Sequence, residues 1–288
     1  MEQLQRAGKD GRRGMQAIFD HGSPPPCPAP FNLAAYVLHR AQQLATKTAL
    51  AVIREDGAEC WSYAALEAAV LGAASGFLSQ GLEPGDRLLM RLGNSVEFPI
   101  AYLAAIAADI IPVPISAFLT EPEVARIIED VSPRLIVADE GLALPSEPAC
   151  SVLPAKAMRE MYGLTPAPYA MGEPDRPAYI VYTSGTSGRP RAVVHAHRAV
   201  WARRMMWEGW YGLLEQDRVL HAGAFNWTYT LGTGLLDPWT RGATALIPGS
   251  GVASEALGLL LKQHDATILA AAPGLYLSAP PGRMVRDR

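Results

Sequence analysis

Short apolar runs alternate along most of the chain with longer segments of helical periodicity. Apolar runs bounded by glycine, proline or charged residues are typical of buried strands, and apolar residues spaced three or four apart are typical of helices. The predicted strands span residues 49–53, 87–92, 110–115, 134–138, 178–181, 192–195 and 218–221. The predicted helices span residues 31–44, 62–80, 120–131 and 197–214, and a further helix opens at residue 94. Residues 235–239, 243–247, 254–263 and 267–270 continue the alternation.

Local signals support several of these elements. Ser62 is expected to cap the helix that follows it. Thr120 precedes a proline in the first turn and a glutamate three residues on, which predicts a capping box. Pro112 and Pro114 place the strand at 110–115 at a sheet edge or near its end. Helices and strands that alternate at this spacing predict an α/β fold with a largely parallel sheet.

The regions outside this alternation look different. Residues 1–30 end in a proline-rich stretch and are expected to form a flexible arm. Residues 140–177 are rich in proline, alanine and glycine, have weak periodicity, and are expected to form an irregular connection. The apolar run at 98–108 is too short to span a membrane, for which about 20 residues are needed, and is expected to be a buried helix.

Composition narrows the functional class. Of the 288 residues, 49% are hydrophobic and 18% are charged, which allows a substantial core. The net charge of −3 and the absence of a basic stripe give no reason to expect nucleic-acid binding. The three cysteines form no CxxC pair, so neither a zinc site nor a disulfide framework is indicated. This cysteine usage fits a reducing cytoplasm, and the N-terminus does not resemble a secretory signal, so a cytoplasmic location is expected.

The segment at 182–191 carries the strongest chemical signal. It reads Tyr-Thr-Ser-Gly-Thr-Ser-Gly-Arg-Pro-Arg and lies between two predicted strands. Glycines let the backbone approach an anion, while hydroxyl and guanidinium groups add donors, so the segment can cradle phosphates. It is not a Walker loop, because no Gly-Lys-Ser/Thr follows four residues after a glycine. A Ser/Thr/Gly turn taken alone is more often an ordinary surface turn.

The ten ordered positions resemble the phosphate-binding signature of the adenylate-forming superfamily, which includes acyl-CoA synthetases, peptide-synthetase adenylation domains and luciferases. Four upstream segments follow the family's order and spacing, and we interpret them as scaffold without chemistry. The resemblance covers residues 31–276 and implies part of the large N-terminal, AMP-binding domain, with helices layered on mixed, largely parallel sheets. The upstream segments are Trp61-Ser62-Tyr63, Gly85-Asp86-Arg87, Asn94-Ser95-Val96-Glu97-Phe98 and Ile111-Pro112-Val113-Pro114.

The resemblance implies a reaction and a set of ligands. In the family, a carboxylic acid reacts with ATP, with Mg²⁺ present, to give an acyl-adenylate, and a thiol such as that of CoA then displaces AMP. Arg191 stands where the family usually has lysine, which preserves the charge but changes its shape. The implied ATP phosphate-binding residues are Thr183, Ser184, Gly185, Thr186, Ser187, Gly188 and Arg191.

A second implied site is the acyl pocket. Phe225, Asn226, Trp227 and Tyr229 lie where family members place one of its walls, and their aromatic content favours an aryl or medium-length acid. The alternative is that these aromatic residues are buried and close the edge of the sheet. His195-x-His197 lacks recognisable further metal ligands, so histidines that anchor the scaffold are expected instead.

The resemblance ends at Tyr276. Residues 277–288 show no period, and no segment supplies the family's magnesium-site glutamate or the catalytic lysine of its small C-terminal domain. We therefore expect a truncated chain with an aberrant tail, such as a frameshift or an early stop would give, and with no identifiable catalytic residue. The principal hypothesis is an AMP-forming acid–CoA ligase, inactive as this chain alone. The alternatives are an adenylation domain that loads a carrier protein and an inactive nucleotide-binding remnant.

Overall fold

A computed structural model describes residue 22 and residues 24–183 and 190–274. Its strands are β1 (Thr48–Arg54), β2 (Gly57–Ser62), β3 (Arg87–Arg91), β4 (Ile111–Pro114), β5 (Leu135–Ala138), β6 (Ser151–Pro154), β7 (Pro177–Thr183), β8 (Arg191–Ala196), β9 (Arg218–His221), β10 (Thr244–Pro248) and β11 (Ile268–Ala270). Its α-helices are α1 (Leu33–Val37), α2 (Tyr63–Ser79), α3 (Glu97–Ala107), α4 (Glu121–Val131), α5 (Ala155–Met158), α6 (Ala199–Ala202), α7 (Arg204–Gly209), α8 (Asp237–Arg241) and α9 (Leu257–Gln263). A π-helix spans Thr230–Leu236, and 3₁₀ turns span Arg159–Gly163 and Ser254–Ala256.

Two largely parallel sheets carry the fold. One has the order β11-β9-β10-β1-β2 and is parallel except for the β1–β2 hairpin. The other has the order β4-β3-β5-β6 and is parallel throughout. Every residue of α3 is buried, and α3 packs against α1 and α2 within the main hydrophobic core. The predicted α/β class with mixed, largely parallel sheets is confirmed.

The predicted capping signals are present in the structure. The Ser62 hydroxyl accepts a hydrogen bond from the Ala65 N–H at 3.2 Å at the start of α2. The Glu123 carboxylate accepts from the Thr120 N–H at 2.8 Å and from the Thr120 hydroxyl at 2.7 Å at the start of α4. Strand β4, which contains two prolines, lies at an edge of its sheet, as predicted.

Two predicted helices are shorter than expected. The segment at 31–44 is helical only in α1, and turns follow it. Leu38 and Ala41 are buried although they lie in these turns, so apolar spacing alone does not distinguish the turns from a longer helix. The segment at 197–214 is divided into α6 and α7, and α7 buries no residue. Met205 and Trp210 are 65% and 57% exposed, so these two apolar residues of the segment do not face the core.

The connection at 140–177 is more regular than predicted. It contains β6, α5 and a 3₁₀ turn, and β6 extends the second sheet by pairing Leu135 with Ser151. Strand β2 also lies outside the predicted elements. Both strands are largely exposed and therefore lack the apolar pattern that identifies buried strands.

The predicted division of the chain lies partly outside the described residues. Residues 1–21 and Ser23 of the predicted arm, and residues 275–288 with the predicted tail, fall there. Pro25 is described, and its carbonyl accepts a hydrogen bond from the Trp201 indole N–H at 3.0 Å. Within the described ranges, no helix is long and apolar enough to cross a membrane.

Candidate functional site

A cleft of about 710 Å³ lies where strand ends of the two sheets meet. Its walls are formed mainly by the segments that follow β3 and β5 of one sheet and β9 and β10 of the other, and Ala117 and Phe118 after β4 also contribute. All four segments leave the carboxyl ends of parallel strands, where ligands bind in open α/β sheets. The wall residues include Gly93, Asn94, Asp139, Glu140, Gly223, Phe225, Asn226 and Ser250.

Asn94 joins three of these segments. Its side-chain amide donates to the Gly223 carbonyl at 3.0 Å and to the Pro248 carbonyl at 3.2 Å. Its side-chain oxygen accepts from the Phe225 N–H at 3.2 Å, and its backbone carbonyl accepts from the Ser250 N–H at 3.1 Å. A single residue in the segment after β3 therefore connects the loops after β9 and β10 across the two sheets.

Arg91 supports the opposite wall. The side chain is 1% exposed, and it donates to the Ala143 carbonyl at 3.1 Å, to the Leu119 carbonyl at 2.7 Å and to the Ser116 carbonyl. Burial lowers the pKa of Arg91. These bonds fix the two loops on either side of β3, and Phe118, which lies at the cleft, is 92% exposed.

The charged residues lining the cleft are Asp139 and Glu140. The Asp139 carboxylate accepts a hydrogen bond from the Gly93 N–H at 2.8 Å, and burial nevertheless raises the pKa of Asp139. Ionised carboxylates at these two positions would repel an anionic ligand group that lay against the same walls. The cleft therefore favours the uncharged part of a substrate over its phosphates.

The predicted phosphate loop is flanked by β7 and β8, which pair antiparallel. Thr183 and Arg191 are register partners at the open end of this pair, and both are exposed. Below them, Tyr182 donates its hydroxyl to Asp130, and burial raises the pKa of Tyr182. The structure thus brings Thr183 and Arg191 together. The loop residues between them, Ser184, Gly185, Thr186, Ser187 and Gly188, lie outside the described residues.

The four predicted acyl-pocket residues do not lie in one place. Phe225 is buried and stacks on Phe98 at 4.9 Å between ring centroids, and Asn226 lines the cleft beside it. Trp227 is 57% exposed, so it does not close the sheet edge as a buried aromatic. Tyr229 instead lies against His221 in a T-shaped contact at 4.7 Å.

The two histidines of the His-x-His pair have different environments. His195 stacks on Tyr179 at 4.6 Å. His197 is fully buried, accepts a hydrogen bond from the Leu33 N–H at 3.0 Å through Nδ1, and places Nε2 3.3 Å from Asp109. In the described part of the chain, no three His, Cys, Asp or Glu residues are grouped so as to hold a metal ion.

Acid is expected to destabilise the protein through His197. Burial, aided by Arg176 and opposed by Asp109, lowers the pKa of His197 to about 4. In the unfolded chain the His197 ring takes up a proton near pH 6.5, whereas in the folded chain it stays neutral until about pH 4. The free energy of unfolding therefore has its full value above pH 6.5 and decreases as the pH falls toward 4. Between pH 7.5 and pH 5 the loss from this residue is about 2 kcal/mol, measurable by urea unfolding.

His197→Asn provides the control, because asparagine keeps an acceptor for the Leu33 N–H but does not titrate in this range. The variant is expected to show a correspondingly shallower dependence of the unfolding free energy on pH. An unchanged dependence would show that folding does not shift the pKa of His197.

Sequence reasoning does not identify the cleft. It interprets Asn94 as scaffold and assigns no role to Asp139 or to the Gly249-Ser250-Gly251 turn. A usable signal is present, since each of them comes directly after a predicted parallel strand, where ligand-binding loops gather. What the sequence does not show is that the ends of two different sheets meet there.

Comparison with known proteins adds the following. The family model described as "AMP-binding enzyme" matches residues 37–279. A benzoate–CoA ligase of Thauera aromatica is 26% identical over 91% of this chain and 53% of its own length. A 4-hydroxybenzoate–CoA/benzoate–CoA ligase of Rhodopseudomonas palustris is 30% identical over 75% of this chain and 43% of its own length. A plipastatin synthase polypeptide of Bacillus subtilis is 26% identical over 82% of this chain and 9% of its own length.

Solved structures show the same relationship. A benzoate CoA ligase from Burkholderia xenovorans LB400 superposes with a TM-score of 0.75 at 27% identity, over 87% of this chain and 53% of that protein. The chain spans about half the length of the CoA ligases that it matches.

Proposed function

The chain belongs to the AMP-binding enzyme family, to which its matched segment relates as an N-terminal portion, and we propose that it supplies the phosphate-binding and acid-binding parts of an enzyme that activates an aryl carboxylic acid with ATP. The full reaction would be that of an AMP-forming acid–CoA ligase. The observation that carries the proposal is the pairing of Thr183 with Arg191 at the mouth of the phosphate loop. Relatives named as benzoate–CoA ligases support the choice of an aryl acid.

The proposed chemistry has two steps. A carboxylate oxygen attacks the α-phosphorus of ATP, the bond from that phosphorus to the bridging oxygen breaks, and pyrophosphate leaves. The CoA thiol then loses its proton and attacks the acyl carbon, the bond from that carbon to the phosphate oxygen breaks, and AMP leaves. The first step depends mainly on positioning and on neutralising phosphate charge.

The described residues would contribute positioning and charge to the first step. Arg191 offers a planar guanidinium and Thr183 a hydroxyl to the phosphates, next to the loop. The cleft would hold the uncharged part of the acid, with Phe225 and Asn226 on one wall. Mg²⁺, when bound, would neutralise phosphate charge, and no described residue is assigned to hold it.

A second candidate acceptor is a carrier protein. The match to a plipastatin synthase favours it, since the same adenylate could be transferred to a carrier thiol in place of CoA. The third reading, a nucleotide-binding remnant without catalysis, predicts that ATP binds but no adenylate forms.

The decisive test is isotope exchange between pyrophosphate and ATP, run on the full chain with benzoate, hydroxybenzoates and medium-length fatty acids. Exchange that depends on one of the aryl acids would support the proposal, and thioester formation with CoA or with a carrier protein would then identify the acceptor. If ATP raises the melting temperature but no acid promotes exchange, the result supports a nucleotide-binding remnant without catalysis.

Arg191→Ala is expected to lower acid-dependent exchange by roughly 100-fold, because one preorganised cationic donor to the phosphates is lost. Arg191→Lys keeps the charge and is expected to remain within about 10-fold of the parent. Arg198→Ala is the matched control, since Arg198 is an exposed arginine that pairs with Asp175. Equal losses in Arg191→Ala and Arg198→Ala would exclude a specific role for Arg191.

A further inference from the structure

His221 and Thr230 are buried polar residues whose side chains lack partners. Each residue is 1% exposed. Neither ring nitrogen of His221 nor the Thr230 hydroxyl oxygen makes a hydrogen bond to another described residue. A buried polar group without a partner destabilises a protein by about 1–3 kcal/mol, and native structures contain few of them. Two in one place therefore require an explanation.

The two side chains converge on one point of the backbone. A Cβ atom on Gly223 would lie 2.4 Å from the Thr230 hydroxyl oxygen and 3.1 Å from Nδ1 of His221. A Cβ atom on Gly234 would lie 2.8 Å from the Cβ atom of His221. Both positions therefore need glycine, and together the glycines leave the space in which the imidazole and the hydroxyl approach each other.

This pair lies at the carboxyl end of β9, where the cleft-lining segment begins. His221 is the last residue of β9, and the next residues, Ala222 and Gly223, line the cleft. Thr230 follows Tyr229, one of the predicted acyl-pocket residues, and the half-buried Tyr229 ring lies against the His221 ring at 4.7 Å. The pair therefore lies next to the Tyr229 ring and to the start of the cleft-lining segment.

The chemistry of the pair selects the group that it can bind. Burial lowers the pKa of His221 to about 4, so its ring is neutral at pH 7 and has one donor and one acceptor nitrogen. The threonine hydroxyl also donates and accepts. A ligand hydroxyl can donate to one member and accept from the other. A carboxylate could accept from both members, but it would bring a charge into a buried site that has no counter-charge, and an ammonium group would do the same.

We propose that His221 and Thr230 recognise a hydroxyl substituent on the ring of the acid substrate. This inference rests on the proposed function and specifies its substrate as a hydroxy-substituted aryl acid. It agrees with a relative that is named for 4-hydroxybenzoate as well as benzoate. Burial makes the recognition selective, because an acid without the hydroxyl would leave both protein groups unpaired.

The test measures dissociation constants of the full chain for sulfamoyl-adenosine analogues of benzoyl-adenylate and of its 2-, 3- and 4-hydroxy derivatives. One hydroxy isomer is expected to bind at least about 10-fold more tightly than the benzoyl analogue. Thr230→Val and His221→Leu should each reduce that ratio to about 2-fold or less, while Thr230→Ser, which keeps the hydroxyl, should preserve it.

Tyr162→Phe is the matched control, because the Tyr162 hydroxyl is also buried without a partner but lies elsewhere in the core, and the variant should leave the ratio unchanged. The unliganded Thr230→Val protein should melt at or above the parent temperature, since it loses an unsatisfied group. A lower melting temperature, as expected if a buried water binds the pair, would count against the proposal.

The outcomes separate the two hypotheses. If the four analogues bind equally, the recognition site is excluded while aryl-adenylate binding stands. If none binds, the proposed function fails for this chain and the inference fails with it. If a variant does not fold, the comparison of the four analogues on the parent protein still decides.

Discussion

Asp237→Ala is expected to destabilise the protein by about 3–5 kcal/mol, because it leaves a largely buried arginine without its counter-charge. Asp237 is fully buried at the start of α8. Its carboxylate accepts two hydrogen bonds from Arg203, one from Nε at 2.7 Å, and a third from the Tyr211 hydroxyl at 2.5 Å. Arg203 also donates to Thr233 at 3.2 Å, so the network joins α7 to the π-helix.

A comparison of Asp237→Ala with a double variant, measured by urea unfolding, tests this prediction. In the Arg203→Met, Asp237→Leu variant no buried charge is left unpaired, so it is expected to recover most of the stability that Asp237→Ala loses. A loss below about 1 kcal/mol in Asp237→Ala, or a double variant as unstable as that single variant, would show that the ion pair is solvated. Because Thr233 of this network lies in the same π-helix as Thr230, Asp237→Ala is also expected to weaken ligand selectivity.

Asn94→Ala is expected to lower the unfolding free energy by about 2–3 kcal/mol, because three side-chain hydrogen bonds between the two sheets are removed at about 1 kcal/mol each. The same change should weaken binding of an aroyl-adenylate analogue about 10-fold or more, since Phe225 would lose the bond that fixes its backbone. Hydrogen exchange locates the effect, and the Phe225 amide is expected to exchange at least about 10-fold faster.

Asn94→Asp tests the acceptor oxygen of the amide separately from its donor nitrogen. It keeps an acceptor for the Phe225 N–H, but it directs a carboxylate oxygen at the carbonyl oxygens of Gly223 and Pro248. We expect a stability loss as large as that of Asn94→Ala, with less acceleration of exchange at Phe225. Asn226→Ala, which removes an amide from the same cleft without breaking these bonds, should lose less than about 1 kcal/mol. Equal losses in Asn226→Ala and Asn94→Ala would refute the bridging role.

The sequence predicts the buried parts of the fold well. Strands β1, β3, β5, β9 and β10 are almost wholly buried, and each is visible as an apolar run between turn residues. Strands β2 and β6 escape prediction because backbone pairing holds them with exposed side chains, which leave no apolar pattern. The break at 197–214 escapes it because Arg203 turns toward Asp237, a partner 34 residues away.

The phosphate segment and the cleft also differ in how far the sequence predicts them. The phosphate segment is local, and its flanking strands β7 and β8 are predictable from ten consecutive residues and their neighbours. The cleft is not local, because it brings the segment at Asn94 together with the carbonyls of Gly223 and Pro248. A single sequence does not indicate which of its distant segments are in contact. The pairing of His221 with Thr230 is hidden for the same reason.

The order of strands in the first sheet has a consequence for synthesis on the ribosome. Leu50 of β1 pairs with Ala245 of β10, whereas β3, β4, β5 and β6 of the second sheet all lie within residues 87–154. At about 5–20 residues per second, β1 waits about 10–40 s for its parallel partner. The second sheet can assemble during this interval, while the β1–β2 hairpin keeps an open edge. A nascent chain is therefore most exposed to strand-edge aggregation before β10 emerges.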